Sequence, residues 1–307
     1  MRRNSKSIKV ALLVIWCFSL LTSISVAAIS PEERKNIEDA IPKKAPAVPK
    51  RPRKLLVFNL DIWDGLVRKG HASIPYGNLA LEMMGRKTGA YETVVSNDIA
   101  MFRPENLQQF DAICFNNTTG VLFQDPELKK SLLDFIYDGK GFIGIHAAAA
   151  TFVQWPKYDQ WPEFGQMLGG YENGGHPWKP HEWITIKLDD PDHPLNAALK
   201  GKGFRISDEV FQFQKHYSRD KLRVLLSIDM TKTNVISGRY ILPERRQDHD
   251  FAISWVRSYG AGRVFYCSLG HNPHIFWNPP ILQHYLAGIQ FALGDLPAET
   301  TPSSKPR

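Results

Sequence analysis

The run Gly141-Phe142-Ile143-Gly144-Ile145-His146-Ala147-Ala148 decides how this chain is read. Its first five residues carry no charge, which suits a strand buried on both faces, as in the interior of a parallel sheet. A histidine follows at once, so the strand runs into a sharp turn with a reactive side chain at its tip. Ligands of open parallel sheets bind beyond the carboxyl ends of strands, which makes His146 the first candidate site residue.

Working outward, similar runs recur at Leu55–Leu60, Tyr91–Ser96 and Phe110–Phe115, with helical patterns at Ile74–Arg86 and Pro126–Tyr137 between them. Strands alternating with helices predict an α/β fold with a doubly wound, mostly parallel sheet. The second half adds strand-like runs at Trp183–Leu188, Phe204–Ile206, Leu222–Ile228, Phe251–Trp255 and Arg263–Cys267. Tyr259-Gly260-Ala261-Gly262 predicts a hairpin turn between the last two, and a helix from Pro280 to Leu293 closes the domain.

Two further histidines fall at or after strand ends. His71 lies in the loop after the first strand, and His271 follows the run that starts at Arg263. Three imidazoles are a common ligand set for a zinc-like divalent metal, so His71, His146 and His271 are candidate ligands, although each alone could serve a local hydrogen bond. No Gly-x-Gly-x-x-Gly follows the first strand and no phosphate-binding loop is present, so dinucleotide chemistry is set aside.

The chain has 307 residues, 43% hydrophobic and 22% charged, a balance for one or two globular domains. Its net charge of +7 does not mark a nucleic-acid protein. Residues 1–30 hold four bases and no acid, and residues 31–54 hold eight bases against four acids, which leaves Leu55–Asp295 slightly acidic. The basic Arg2–Lys9 segment, the apolar Val10–Leu21 run and the small residues Ser25-Val26-Ala27 predict a signal peptide over residues 1–28 and hence an exported protein. An uncleaved membrane anchor is the alternative, and no stable membrane insertion is expected after cleavage. Residues 29–53, with prolines at 42, 46, 49 and 52, read as an extended Pro/Lys-rich linker, residues 54–296 as the domain, and residues 297–307 as a flexible tail. Beyond the leader only Cys114 and Cys267 remain, both within apolar runs, and buried strand thiols are expected rather than a disulfide.

Several ordered motifs carry a resemblance. Gly139–Ala148, Gly174-Gly175-His176-Pro177-Trp178, Asp190-Pro191-Asp192-His193-Pro194, Asp208-Glu209 and Trp255–His271 together resemble the ThuA-like, trehalose-utilisation family over roughly Lys54–Asp295. The resemblance implies a fold related to class I glutamine amidotransferases, a link to carbohydrate metabolism and, in some members, a bound metal. In the amidotransferases the residue at the turn is a cysteine; here it is His146, and thiolate acyl transfer is excluded. By motif the resemblance points to His71, His146, His176, Glu209 and His271, with His146 and Glu209 expected to be catalytic and Asp208 a hydrogen-bonding neighbour.

Trp155, Trp161, Trp178 and Trp183 cluster after the His146 turn, and aromatic faces are platforms for sugar rings as readily as core fillers. Trp155, Trp178 and His176 are taken as candidate substrate contacts. The expectation is an exported protein acting on a sugar, glycoside or keto-sugar by isomerisation, hydration, elimination or hydrolysis. A non-catalytic carbohydrate-binding module of the same fold is the alternative.

Overall fold

The computed structural model describes residues 29–154, 159–172, 176–213, 215–233, 246 and 248–302. The leader therefore lies outside the described residues, as do Trp155 and the Gly174-Gly175 pair. Among the described residues no helix is long and apolar enough to cross a membrane.

The strands are β1 (Lys54–Phe58), β2 (Asp61–Trp63), β3 (Leu66–Val67), β4 (Glu92–Ser96), β5 (Ala112–Asn116), β6 (Thr119–Gly120), β7 (Gly141–Ile145), β8 (Trp183–Leu188), β9 (Phe204–Ser207), β10 (Arg223–Ile228), β11 (Ala252–Tyr259) and β12 (Gly262–Cys267). The helices are α1 (Pro31–Ala40), α2 (Ile74–Thr88), α3 (Pro104–Leu107), α4 (Pro126–Tyr137), α5 (Pro162–Leu168) and α6 (Pro279–Ala292).

Nine strands form one sheet in the order β4-β1-β5-β7-β12-β11-β10-β8-β9. From β4 to β12 every pairing is parallel, and from β12 to β9 every pairing is antiparallel. The β-rich second half thus extends the sheet begun by the first. β9 lies four antiparallel steps from β12, so the two point the same way and end on the same edge. That edge is also where β1, β5 and β7 end.

Alternation along each strand divides the core between the two faces. Leu55, Val57, Cys114, Ile143, Ile145, Phe265 and Cys267 point to the face that carries α2 and α6. Leu56, Phe58, Ile113, Phe115, Phe142, Val264 and Tyr266 point to the face that carries α4 and α5. Both cysteines are free and fully buried, and burial pushes the Cys267 thiol up to about 12. The β11–β12 hairpin turns on Gly260-Ala261, with Gly260 at φ 59 in the left-handed region.

The segment expected to be an extended linker is ordered and packed. Ser30 caps α1 in a reciprocal capping box with Glu33, and Ile37, Ala40 and Ile41 are buried in the core. Beyond the helix the chain straps across the far end of the domain. Gln290 pairs with both the N–H and the C=O of Ala47, while Arg53 makes a bidentate ion pair with the buried Asp295. Residues 297–302 also lie along the domain instead of hanging free: the Glu299 carbonyl meets His193 Nε2 at 3.1 Å, and Ser258 and Thr300 share a hydroxyl contact at 2.8 Å. Residues 303–307 fall outside the described residues.

Candidate metal centre

Four strand ends deliver four potential ligands to one place. His71 arrives on the segment after β1 that also carries β2 and β3 of the small β3-β2-β6 sheet, His146 directly after β7, Glu209 after β9 and His271 after β12. One donor atom from each of the four lies within 4.8 Å of all the others. His71, His146 and His271, candidate ligands from the sequence, lie together with ring centroids 5.1–5.2 Å apart.

His146 sits at φ 46, a left-handed backbone that a side chain adopts only when its surroundings enforce it. That geometry is the sharp strand-to-turn tip read from the sequence. The ring is locked on both sides: Nδ1 lies 2.7 Å from the Ser268 carbonyl and Phe211 stacks on it at 4.4 Å. A carbonyl partner requires the proton on Nδ1, so the Nε2 lone pair faces the centre. There it lies 3.3 Å from His271 Nδ1 and 3.7 Å from Glu209 Oε2. With both nitrogens engaged and the residue wholly buried, His146 has the setting of a ligand, one of the two roles expected for it from the sequence.

Glu209 Oε2 is the hub, 3.1 Å from both His271 Nδ1 and His176 Nδ1. Burial works against its charge, but hydrogen bonds from His176 and His271 prevail and hold its carboxyl well below the usual carboxylate range. A permanently ionised carboxylate is a poor proton acceptor at neutral pH and a good cation ligand. Burial, then the charges of neighbouring imidazoles, pushes His71 down to about 4, and burial likewise holds His146 well below the ordinary imidazole value. Both are therefore neutral imidazoles, the form that binds metal.

The donor set fits a divalent cation. Bonds of about 2.1 Å place neighbouring donors roughly 3.0–3.4 Å apart between right-angle and tetrahedral geometry; the 3.1 Å and 3.3 Å separations fall in that range, while the 3.7 Å between His146 and Glu209 and the 4.8 Å span of the group are wider, so a cation would draw those donors together. His71 Nδ1 is buried with no hydrogen-bond partner among the described residues, an unpaired donor position that a cation would satisfy.

His176 stands beside this set with its side chain 21% exposed. Its Nε2 is 3.7 Å from Glu172, which the sequence reading missed. Burial disfavours the charged ring, but the Glu209 hydrogen bond and the Glu172 charge outweigh it and raise His176 above its ordinary value. The only sequence signal for Glu172 is its place four residues before His176 in a Gly/Pro-broken stretch. Asp208, the neighbour of Glu209, is fully buried; burial pushes it up to about 7 against the pull of three backbone N–H groups.

The tryptophans divide differently from expectation. Trp178 is 1% exposed and packs edge-on against Phe251 at 4.9 Å, so it is a core residue with no face to offer a sugar. Trp161 is likewise buried against Phe152, and Trp183, 62% exposed, lies under Arg205 on β8.

Comparison with known proteins agrees with this architecture. A crystal structure described as a ThuA-like protein from Bacteroides uniformis ATCC 8492 superposes with a TM-score of 0.62 at 19% identity, covering 80% of this chain and 93% of that one. A second, from Parabacteroides merdae ATCC 43184, gives 0.56 at 15% identity, covering 83% and 96%. At these identities the likeness establishes the fold alone. A search of curated proteins finds no significant match. The ThuA family model, described as trehalose utilisation, matches residues 59–292, and the chain belongs to that family.

Proposed function

We propose that this protein is an exported enzyme of carbohydrate metabolism that acts on a sugar, glycoside or keto-sugar at the imidazole and carboxylate centre. The observation that carries the proposal is the convergence of three imidazoles and one carboxylate, each following a different strand of the chain. The family's description supports a carbohydrate substrate, and the charge pattern of residues 1–28 supports export.

His71, His146, His271 and Glu209 would hold a zinc-like divalent cation, which when bound supplies Lewis-acid polarisation of a carbonyl or hydroxyl oxygen. The rest of the chemistry belongs to the chain. The Ser268 carbonyl and the stacked Phe211 ring fix His146. His176 is outside the ligand group yet touches Glu209, and its partly exposed ring is the group that meets the substrate. It donates a hydrogen bond to a sugar hydroxyl and exchanges a proton with the reacting carbon or oxygen, while Glu172 sets its orientation. A polarised carbonyl beside a proton-exchanging group suits isomerisation, hydration or elimination, and a keto-sugar presents such a carbonyl.

The test is metal content per chain by elemental analysis, with turnover of a panel of keto-sugars and glycosides followed by NMR, for the natural chain and for His146→Ala, Glu209→Ala and His176→Ala. One equivalent of metal, lost in the first two variants and kept in the third while turnover falls in all three, is expected. Sugar binding without turnover, weakened but not abolished by His146→Ala, would replace the enzyme with a carbohydrate-binding module.

A further inference from the structure

We propose that Asp208 is a positioning residue that presets His271 for cation binding by clamping the main chain of the 270–272 loop. The proposal rests on the reading of the centre as a cation site. Asp208 follows β9, whose end lies on the same sheet edge as the end of β12. Its Oδ2 accepts the backbone N–H groups of Gly270 at 2.7 Å and His271 at 3.2 Å, and its Oδ1 accepts that of Asn272 at 2.9 Å. Three successive N–H groups thus converge on one side chain, as they do around a bound anion. Only a carboxylate, with acceptors on both oxygens, can satisfy all three; an amide would aim its NH2 at an N–H.

The clamped loop is a junction. The Gly270 carbonyl, on the far side of the same residue, accepts Ser73 Oγ at 2.7 Å and Asn117 Nδ2 at 3.3 Å. Ser73 lies two residues beyond His71, so the loop that carries one candidate ligand is fastened to the loop that carries another. Gly270 itself sits at φ 131, where a Cβ would come within 2.9 Å of Ile145 and 3.2 Å of His146 Cβ. The third ligand therefore packs against the same peptide. The next residue along from Asp208 completes the grip: Glu209 reaches the His271 ring while Asp208 holds its backbone. Partners that orient metal ligands are commonly hydrogen-bonded to the ligand ring; here Asp208 acts on the backbone N–H of His271 and the orientation is imposed through the main chain.

The test pairs two measurements on the full chain, the isosteric Asp208→Asn variant and a remote core control, Leu132→Ala on α4. The first is hydrogen exchange of the Gly270–Asn272 amides in metal-free protein, and the second is titration with Co2+ followed by its visible absorption. Loss of amide protection in Asp208→Asn, with a 10- to 100-fold weaker Co2+ affinity and a changed spectrum, is the expected result, Leu132→Ala keeping affinity and spectrum. Retained protection, or natural affinity and spectrum in Asp208→Asn, overturns the proposal, as does an equal loss in Leu132→Ala. If the natural chain takes up no Co2+, the cation reading fails by itself, and the exchange data alone then decide whether Asp208 clamps the loop.

Discussion

Replacing Trp178 by alanine separates the two roles its position allows. A buried tryptophan removes about 150–250 Å2 from water, worth up to roughly 4–6 kcal/mol at about 25 cal/mol per Å2. Measured losses for such truncations run about 3–5 kcal/mol, since the site partly relaxes around the cavity. With 1% exposure and the Phe251 ring against it, Trp178 belongs at the full end of that scale. For a domain of this size each kcal/mol moves Tm by about 2–4 °C, so a fall of roughly 10 °C is expected. The assay is urea and thermal denaturation of the natural chain, Trp178→Ala and Trp178→Phe, with Trp183→Ala as the exposed comparison, expected to change stability by less than about 1 kcal/mol. A Trp178→Ala variant of natural stability with weakened sugar affinity would refute the core assignment and restore the ligand-platform reading.

Two further outcomes follow from buried groups elsewhere. His284 is buried between the Ser254 hydroxyl and the Leu195 carbonyl, and burial lowers its pKa to about 4. The unfolded chain takes up a proton below about pH 6.5 that the native state refuses until about pH 4, so stability is full above 6.5 and falls across that window by about 3 kcal/mol. The urea midpoint of His284→Gln is expected to fall less steeply over the same range, and parallel pH profiles would discard the assignment. Gly120 on β6 sits at φ 71 with a virtual Cβ 1.7 Å from the Ile62 carbonyl, so Gly120→Ala is expected to cost at least about 1–3 kcal/mol and to unpair β2. Natural denaturation behaviour, with unchanged hydrogen exchange over Asp61–Val67, would contradict the small sheet as described.

The central parallel strands were legible because each carries a run of uncharged, mostly apolar residues: the reading placed β7 and α4 at their observed bounds. The centre was legible through topology, since His71, His146 and His271 all follow strands that end on one edge of the sheet. Other features left weaker marks. The Ser30 and Glu33 capping box was present in the sequence, but the four prolines after it set the reading of the whole segment, and a ten-residue helix was missed. β2, β3 and β6 have two or three residues each, too few for any periodicity. Trp178 and the exposed Trp183 look alike in sequence, because burial of a single aromatic is decided by distant partners such as Phe251.

The strap between α1 and β1 fixes an order of events. Its anchors, Gln290 and Asp295, lie more than 240 residues downstream of Ala47 and Arg53. A chain emerging vectorially from its N-terminus presents the strap more than 240 residues before its binding partners, so the clasp closes only once α6 is available. Until then Ile37, Ala40 and Ile41 lack the α6 side chains that share their core. Truncation just before Asp295 therefore also loosens the opposite end of the chain, where Lys50 and Arg53 lose their carboxylate partner while the Gln290 clasp on Ala47 remains.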